Sequence, residues 1–209
     1  RTRHLFNPNL YYPWFNVAGL IGILSMLTSF SVSALSIVRE REMGTLDQLL
    51  VTPIGPGEIL IGKALPAVLI GLFEGILMLS LGITFLGLVV QGSLPLLLLS
   101  LLAFITAIVG IGLFVSAIVE TQQQATLGLF LLMLPTVTLS GFATPVENMP
   151  EWMQWLAMGN PLKYFLIISR GICIKGIDAV TVIQNIWPMV CIASATLSLA
   201  IWTFRKRCV

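Results

Sequence analysis

Residues 92–119 read GSLPLLLLSLLAFITAIVGIGLFVSAIV and contain no charged side chain. A helix needs about 20 predominantly apolar residues to cross the hydrocarbon core of a bilayer, so this stretch is long enough. The same apolar character is shared by four further windows, at 14–38, 64–90, 125–146 and 179–204. In the last window we place the span at 183–204. The sequence therefore predicts an all-α, polytopic helical membrane protein with about five transmembrane helices in one domain, 1–209.

The composition agrees with this fold class. Of the 209 residues, 57% are apolar and 10% are charged, whereas a soluble domain carries about 25% charged residues. Disorder is excluded because it requires low hydrophobicity, and the continuous apolar runs differ from the alternating strands of a barrel. A formal net charge of +2 leaves no basic field for binding nucleic acid.

Cysteine and histidine point to no special chemistry. Because three cysteines cannot form a complete disulfide framework, we expect Cys173, Cys191 and Cys208 to be free thiols. The single histidine, His4, has no His or Cys cluster around it, so the sequence predicts no metal site. We also predict no catalytic residue in this chain.

The orientation follows from the basic tail Arg205-Lys206-Arg207, which comes directly after the last span. Basic residues next to a span favour the cytoplasmic side. With five spans, a cytoplasmic C-terminus places Arg1 outside and the loop 39–63 inside. The chain begins without an initiator Met, so we expect a processed product or the back part of a longer protein.

The loop after the first span carries the strongest functional pattern. Residues 39–54 read REREMGTLDQLLVTPI. The span ends in four alternating charges, Arg39, Glu40, Arg41 and Glu42, and Gly44 then permits a sharp turn.

A short helix is predicted to follow this turn. Thr45 is suited to cap it, Gln48 stands at the spacing of a capping box, and Asp47 places negative charge in the first turn. Pro53 disfavours a helical conformation at Thr52 and closes the element. One apolar face is formed by Leu46, Leu49 and Leu50. The region 39–56 thus contains an amphipathic helix of about two turns beneath the membrane.

So short a helix is unstable alone in water and needs a surface to dock against. That surface is either lipid, in which case the helix is an interfacial element, or a groove on a cytoplasmic partner. Periodicity alone leaves both readings open.

A second pattern in the same loop does not indicate nucleotide binding. Residues 57–63, GEILIGK, match the spacing of a phosphate-binding loop, but Ala64 stands where a Ser or Thr would ligate magnesium. No apolar strand precedes the match, and it runs into a membrane span. We therefore expect no cofactor in this chain, and we interpret Lys63 as a snorkelling residue at the inner interface.

Polar and small residues inside the spans are further candidates. Glu74 is the one acid well inside a span, so we expect it to face other helices or a wet cavity. It either belongs to a path through the membrane, attracting a cationic substrate or relaying protons, or pairs with a polar neighbour. A serine every four residues in the first span and the glycine pair at 71 and 75 favour close helix contacts, in a dimer or pore interface or within one bundle.

Pro135 is expected to kink or break its helix, and hydroxyls of the following residues can satisfy the freed backbone groups. The segment 141–163, from Gly141 through Pro145, resembles an outer re-entrant or interfacial hairpin. Within it, 150–158 predicts a short helix with Trp152 on an aromatic side that suits the outer interface. The hairpin either gates the outer end of a pathway or is a surface anchor.

The chain as a whole resembles ABC-2 type transporter permeases, close to their multidrug-efflux branch. The motifs that carry the resemblance are the 39–53 loop, Phe6-Asn7-Pro8, the run SGFATP at 140–145 with Asn148-Met149-Pro150, and Asn160-Pro161-Leu162. The resemblance implies six spans in the full fold, a second permease copy or homologue, and two cytoplasmic ATPase subunits that hold ATP and magnesium. It also implies that 39–53 contacts the ATPase. This chain departs from the pattern by lacking the first span and the extracytoplasmic domain.

We therefore expect the permease subunit of an ATP-driven exporter in a bacterial inner membrane, moving a hydrophobic or amphipathic, drug-like substrate. Its expected partners are an ATPase subunit, a second permease and the lipid bilayer, with a periplasmic adaptor as a further candidate and no nucleic acid. The alternative is an ion- or proton-coupled secondary transporter that uses Glu74. An intramembrane enzyme and a scaffold without transport are the remaining classes.

Overall fold

The computed structural model of this chain describes residues 12–88, 90–142 and 144–208, with the side chains of 12–15, 47, 50, 175 and 208 outside that description. Within these ranges the elements are α1 (Tyr12–Glu42), α2 (Leu46–Leu50), α3 (Pro56–Leu86), α4 (Leu94–Ile118), α5 (Gln122–Thr138), a 3₁₀ turn (Val146–Asn148), α6 (Glu151–Met158), α7 (Pro161–Arg170), a π-helical turn (Gly171–Lys175) and α8 (Ala179–Cys208). The same ranges contain no strand, which confirms the all-α prediction.

Long apolar helices dominate the described chain. Those long and apolar enough to cross a bilayer are Asn16–Glu42, Pro56–Leu86, Leu94–Ile118 and Ala179–Arg207. They correspond to four of the five predicted windows, and the last begins before the predicted residue 183. The protein is therefore a polytopic helical membrane protein.

The window predicted at 125–146 differs from the expectation, because it is not one continuous helix. α5 has 17 residues and ends at Thr138, which corresponds to about 25 Å at the rise of an α-helix. Gly141 then takes a φ of 83°, which turns the chain off the helical path. The break expected at Pro135 comes three residues later, since the helix continues through the proline to Thr138.

The helices share two ends, which we call the loop end (39–56 and 119–121) and the hairpin end (87–93 and 139–178). α1, α4 and α8 run toward the loop end, whereas α3 and α5 run away from it. At the loop end the Arg207 guanidinium donates to the Ile118 carbonyl. At the hairpin end the Gly92 N–H donates to the Ile172 carbonyl over 3.1 Å.

α1 and α3 pack closely because small residues meet in register. Ser25, Ser29 and Ser33 are fully buried. A methyl group at Gly71 would overlap the Ser29 hydroxyl, and one at Gly75 would come within 3.0 Å of the Ser25 hydroxyl. The same repeat continues onto α4, where a methyl group at position 112 would overlap the third serine. The serine repeat and the glycine pair thus serve packing within one bundle, which was one of the two readings.

α4 is the central helix of the bundle. It packs against α1, α3 and α8, and buried residues occur along most of its length. Phe104 stacks on Phe165 of α7 with ring centroids 4.8 Å apart. The Ser116 hydroxyl accepts from the backbone N–H groups of Ile37 and Val38 near the end of α1. The core therefore lies along α4, where α1, α3, α7 and α8 meet it.

Substituting Gly71 tests the close approach of α1 and α3. We expect Gly71→Ala to destabilise the protein by about 1–3 kcal/mol, because the added methyl group overpacks the contact. The measurement is the thermal midpoint of the purified full-length protein in detergent. Gly62→Ala, in the same helix, is the matched control, since a Cβ there meets nothing within 4 Å. Equal midpoints for the two variants would contradict the packing assignment.

Candidate coupling and transport site

The loop between α1 and α3 folds back on the end of α1. Gly44 has a φ of 70°, as its predicted turn requires. Thr45 immediately precedes α2, and both its N–H (3.0 Å) and its hydroxyl (3.3 Å) donate to the Glu40 carbonyl. The described contacts contain no hydrogen bond between Thr45 and Gln48, so the predicted capping box is not formed, and the Thr45 hydroxyl instead ties the start of α2 to α1. α2 ends at Leu50, before Pro53 as predicted, and the N–H and hydroxyl of Thr52 both donate to the Leu49 carbonyl.

α2 is amphipathic, as its pattern predicted, but its apolar face packs on the bundle of this chain, whereas the two expected surfaces were lipid and a groove on a partner. Leu46 is buried, Leu49 is half-buried and Gln48 is exposed. The side chains of Asp47 and Leu50, which were also predicted site residues, lie outside the described residues.

The tip of the loop carries exposed apolar side chains that the sequence analysis missed. Val51 is 87% exposed, Met43 57% and Ile54 46%. Pro53 beside them is exposed as well. The sequence could have indicated them, because apolar residues stand on both sides of the predicted short helix. We call Met43, Val51 and Ile54 the apolar tip.

The alternating charges at the end of α1 contact three other helices. The Glu40 carboxylate pairs with the Lys63 ammonium of α3. The Arg41 guanidinium donates to the Val119 carbonyl over 2.6 Å. The Glu42 carboxylate accepts from both the backbone N–H (2.7 Å) and the side-chain amide of Gln122.

These contacts match the partial charges of the helix ends. Arg41 lies at the C-terminal end of α4, where carbonyl groups carry negative partial charge, and Glu42 lies at the N-terminal end of α5, where N–H groups carry positive partial charge. The end of α1 is therefore hydrogen-bonded to both sides of the turn between α4 and α5. Arg39, the remaining charge of the run, is exposed.

The phosphate-loop spacing at 57–63 forms the first turns of α3. Glu58 accepts from the Gly55 N–H over 3.0 Å, which completes a capping arrangement there. Lys63 pairs with Glu40 at the loop end. The pairing does not test the interpretation of Lys63 as a snorkelling residue, which stays a prediction.

Glu74 lies at mid-height of α3 and faces α1. Its carboxylate accepts a hydrogen bond from the Thr28 hydroxyl, and the residue is half-buried. The expectation that it faces the bundle is confirmed, and its role in transport stays a prediction.

A cleft opens between α1, α4 and α5. Its lining is apolar except for one hydroxyl, and consists of Met26, Phe30, Ile108, Ile111, Leu132, Met133 and Thr136. Glu74 is not among these residues, because Thr28 and Glu74 lie on a different side of α1. The cleft offers dispersion contacts and one polar group, which suits an apolar ligand.

The hairpin end is built around two short helices. α6 occupies 151–158, close to the predicted 150–158, with Trp152, Trp155 and Leu156 exposed. Pro145 precedes the 3₁₀ turn and is exposed. The Arg170 guanidinium donates to the Gly141 carbonyl over 3.1 Å and lies 5.7 Å from the Phe142 ring centroid. Burial lowers the pKa of Arg170.

The structure does not bring the predicted pathway residues together. Glu74 contacts α1, Pro135 is exposed on α5, and Gly141 forms a turn. Pro145 and Trp152 are exposed on the hairpin. Only the α5 segment around Pro135 borders the cleft, through Met133 and Thr136.

Comparison with known sequences shows the family to which this chain belongs. The sequence profile described as ABC-2 type transporter matches residues 5–174. The chain belongs to the ABC-2 type transporter family. The match covers α1 to α7 and thus the loop, the cleft and the hairpin.

Named members of the family are similar over nearly the whole chain. It is 40% identical over 206 residues to the "Probable multidrug ABC transporter permease YbhR" of Escherichia coli strain K12, covering 99% of this chain and 56% of that protein. It is 33% identical over 212 residues to the "Inner membrane transport permease YhhJ" of the same strain, covering 98% and 55%. "ABC transporter G family member 20" of Dictyostelium discoideum is 26% identical over 174 residues, covering 82% and 23%. The chain thus spans about half the length of the two bacterial relatives.

Reversing the Glu40–Lys63 pair tests the loop-end contacts. We expect Glu40→Lys to destabilise the protein by about 2 kcal/mol, because a charged hydrogen bond is lost and two cations face each other. Adding Lys63→Glu restores most of the loss. The measurement is the thermal midpoint, with Glu147→Lys, at an exposed acid of the hairpin end, as control. A double variant no more stable than Glu40→Lys alone would contradict the pairing.

Proposed function

We propose that this chain is the membrane-spanning part of an ABC exporter permease whose ATP is hydrolysed by a separate cytoplasmic subunit. The single observation that carries the proposal is the loop 39–56, in which a short helix flanked by exposed apolar side chains is hydrogen-bonded to the end of α1. An apolar tip on a water-facing loop is costly unless a protein surface covers it. Membership of a family of ABC-2 type transporters makes an ATPase the fitting partner.

The membrane and orientation form part of the same proposal. The name of one relative, "Inner membrane transport permease", supports an inner membrane. The exposed basic residues 205–207 at the end of α8 support a cytoplasmic loop end. The N-terminal end of α1 then faces outward, together with the hairpin end.

The mechanism follows from what the loop touches. Closure of the ATPase subunits on ATP displaces α2, and the Thr45 and Glu40 contacts pass this displacement to α1 and α3. Arg41 and Glu42 pass it to the turn that begins α5. Since α1, α4 and α5 line the cleft, their relative movement opens it alternately to the two sides. A second permease copy or homologue completes the pathway.

The substrate class is also proposed. The cleft lining is aliphatic, aromatic and thioether, with one threonine hydroxyl. Such a surface favours a hydrophobic or amphipathic molecule, and the word "multidrug" in the name of one relative supports a drug-like one.

A charge placed in the apolar tip tests the coupling role. We expect Val51→Asp to abolish co-purification of the ATPase with full-length permease, because an aspartate desolvated in an apolar interface is strongly unfavourable. The bound subunit is identified by photolabelling with azido-ATP and by its ATP turnover in nanodiscs. Val180→Asp is the matched control, since Val180 is 66% exposed at the opposite end. A Val51→Asp permease that retains a full complement of ATPase would refute the proposal.

Glu74→Gln separates the exporter from a proton-coupled transporter. Glutamine can still accept the Thr28 hydrogen bond, so we expect ATP-dependent ethidium efflux from vesicles to change by less than about twofold. Collapse of the proton gradient by an uncoupler should leave that efflux intact. If efflux instead requires the gradient and is lost in Glu74→Gln, the secondary-transporter alternative replaces the exporter.

A further inference from the structure

The second half of α5 is less buried than the first. The buried residues of α5 are Ala125 and Leu129, both in its first half. Beyond them, Met133 and Val137 are only partly buried against the core, and Leu131 is 75% exposed. With no fully buried side chain in this half, a hydrogen bond to a neighbouring helix contributes more to its position.

The carbonyl groups at the end of α5 show one such contact. In a continuing helix the Ser140 N–H would bond the Thr136 carbonyl, but it donates to the Val137 carbonyl over 3.3 Å. The Thr136 carbonyl accepts instead from the side-chain amide of Asn160, over 2.7 Å. Asn160 is 6% exposed, so this hydrogen bond is shielded from water.

Asn160 uses both ends of its amide group. Its Oδ1 accepts from the Leu162 N–H over 3.0 Å and so caps the N-terminus of α7. Its Nδ2 donates to α5. Among the side chains that cap helices well, serine and aspartate supply the acceptor but no matching donor at this reach.

α7, in contrast to α5, is fixed firmly in the core. Leu162 and Phe165 are fully buried, and Phe165 stacks on Phe104 of α4. The Ser169 hydroxyl donates to the Ala18 carbonyl of α1 over 2.8 Å. The Asn160 amide thus joins a buried helix to the less buried half of α5.

We propose that Asn160 is a positioning residue that latches the second half of α5 to α7 and thereby sets how far the cleft is open. Thr136, whose carbonyl takes the hydrogen bond, lines the cleft with its own side chain, and Met133 lies one turn before it. Release of the Nδ2 hydrogen bond lets this half of α5 move away from α1 and α4. The latch itself is argued from the contacts of Asn160. That the movement serves transport rests on the proposed function.

The experiment measures the accessibility of the cleft directly. Full-length permease is placed in nanodiscs without any ATPase, with Cys191 and Cys208 replaced by serine. Cys173 can stay, because burial raises its thiol pKa to about 11 and keeps it unreactive. Met133→Cys reports on the cleft, and the rate of its reaction with a water-soluble maleimide is followed without nucleotide.

We expect Asn160→Ser to raise the labelling rate of Met133→Cys about fivefold, because it keeps the α7 cap and loses the bond to α5. Asn160→Asp should raise the rate further, since its carboxylate repels the Thr136 carbonyl. Asn185→Ser is the matched control, because the Asn185 amide makes only a local hydrogen bond to the Thr181 carbonyl in the described contacts. Ile105→Cys, at a fully buried site, should remain unlabelled throughout.

Equal rates for Asn160 and Asn160→Ser would overturn the latch, as would a parallel rise at Ile105→Cys, which signals general loosening. The yield of folded protein is measured for Asn160→Ser, for Asn160→Asp and for Asn160→Ala, which removes the cap as well. If the first two give no more folded protein than Asn160→Ala, Asn160 acts in folding alone and the proposal is wrong. Because the labelling uses no ATP, its result is separate from whether an ATPase binds the apolar tip.

Discussion

Close contact between backbones holds this bundle together, because lipid tails are as apolar as the helices and give little reason for helices to associate. α1 meets this constraint with three buried serines, two facing the glycines of α3 and one facing Gly112 of α4. With its neighbours so near, α1 also reaches α5 and α7. The loop, the cleft and the attachment of the hairpin are all arranged around this one helix.

The charged end of α1 links a short run of sequence to three other helices. Four alternating charges would ordinarily mark only the exit from a membrane. Here Glu40, Arg41 and Glu42 each find a group on a different helix, and two of these groups are helix termini of the matching polarity. A displacement applied to this end is therefore shared by α3, α4 and α5 at once. Because the displacement reaches three helices together, even a helix as short as α2 can be proposed to move the bundle.

Much of the fold could be predicted because membrane spans depend on length and hydropathy alone. The four long helices, the turn at Gly44 and the helix at 151–158 follow from local patterns. The end of α5 at Thr138 could not be predicted, since an apolar run continues past it and the helix stops where Asn160 takes the Thr136 carbonyl and Gly141 turns the chain. The pairing of Lys63 with Glu40 was also missed, because the two residues are 23 positions apart and only the fold brings them together.

The antiparallel register of α1 and α3 has a consequence for how this chain can vary in length. Contacts at Ser25–Gly75, Ser29–Gly71 and Glu40–Lys63 occur along one line of each helix. Inserting one residue between Lys63 and Gly71 would rotate the rest of α3 by about 100°, so that bulky side chains would replace glycine against the serines. Indels are therefore tolerated only outside the paired helices, as in the exposed residues around Pro145. Loops of differing size on a helical frame of constant length are the pattern of divergence that this geometry permits.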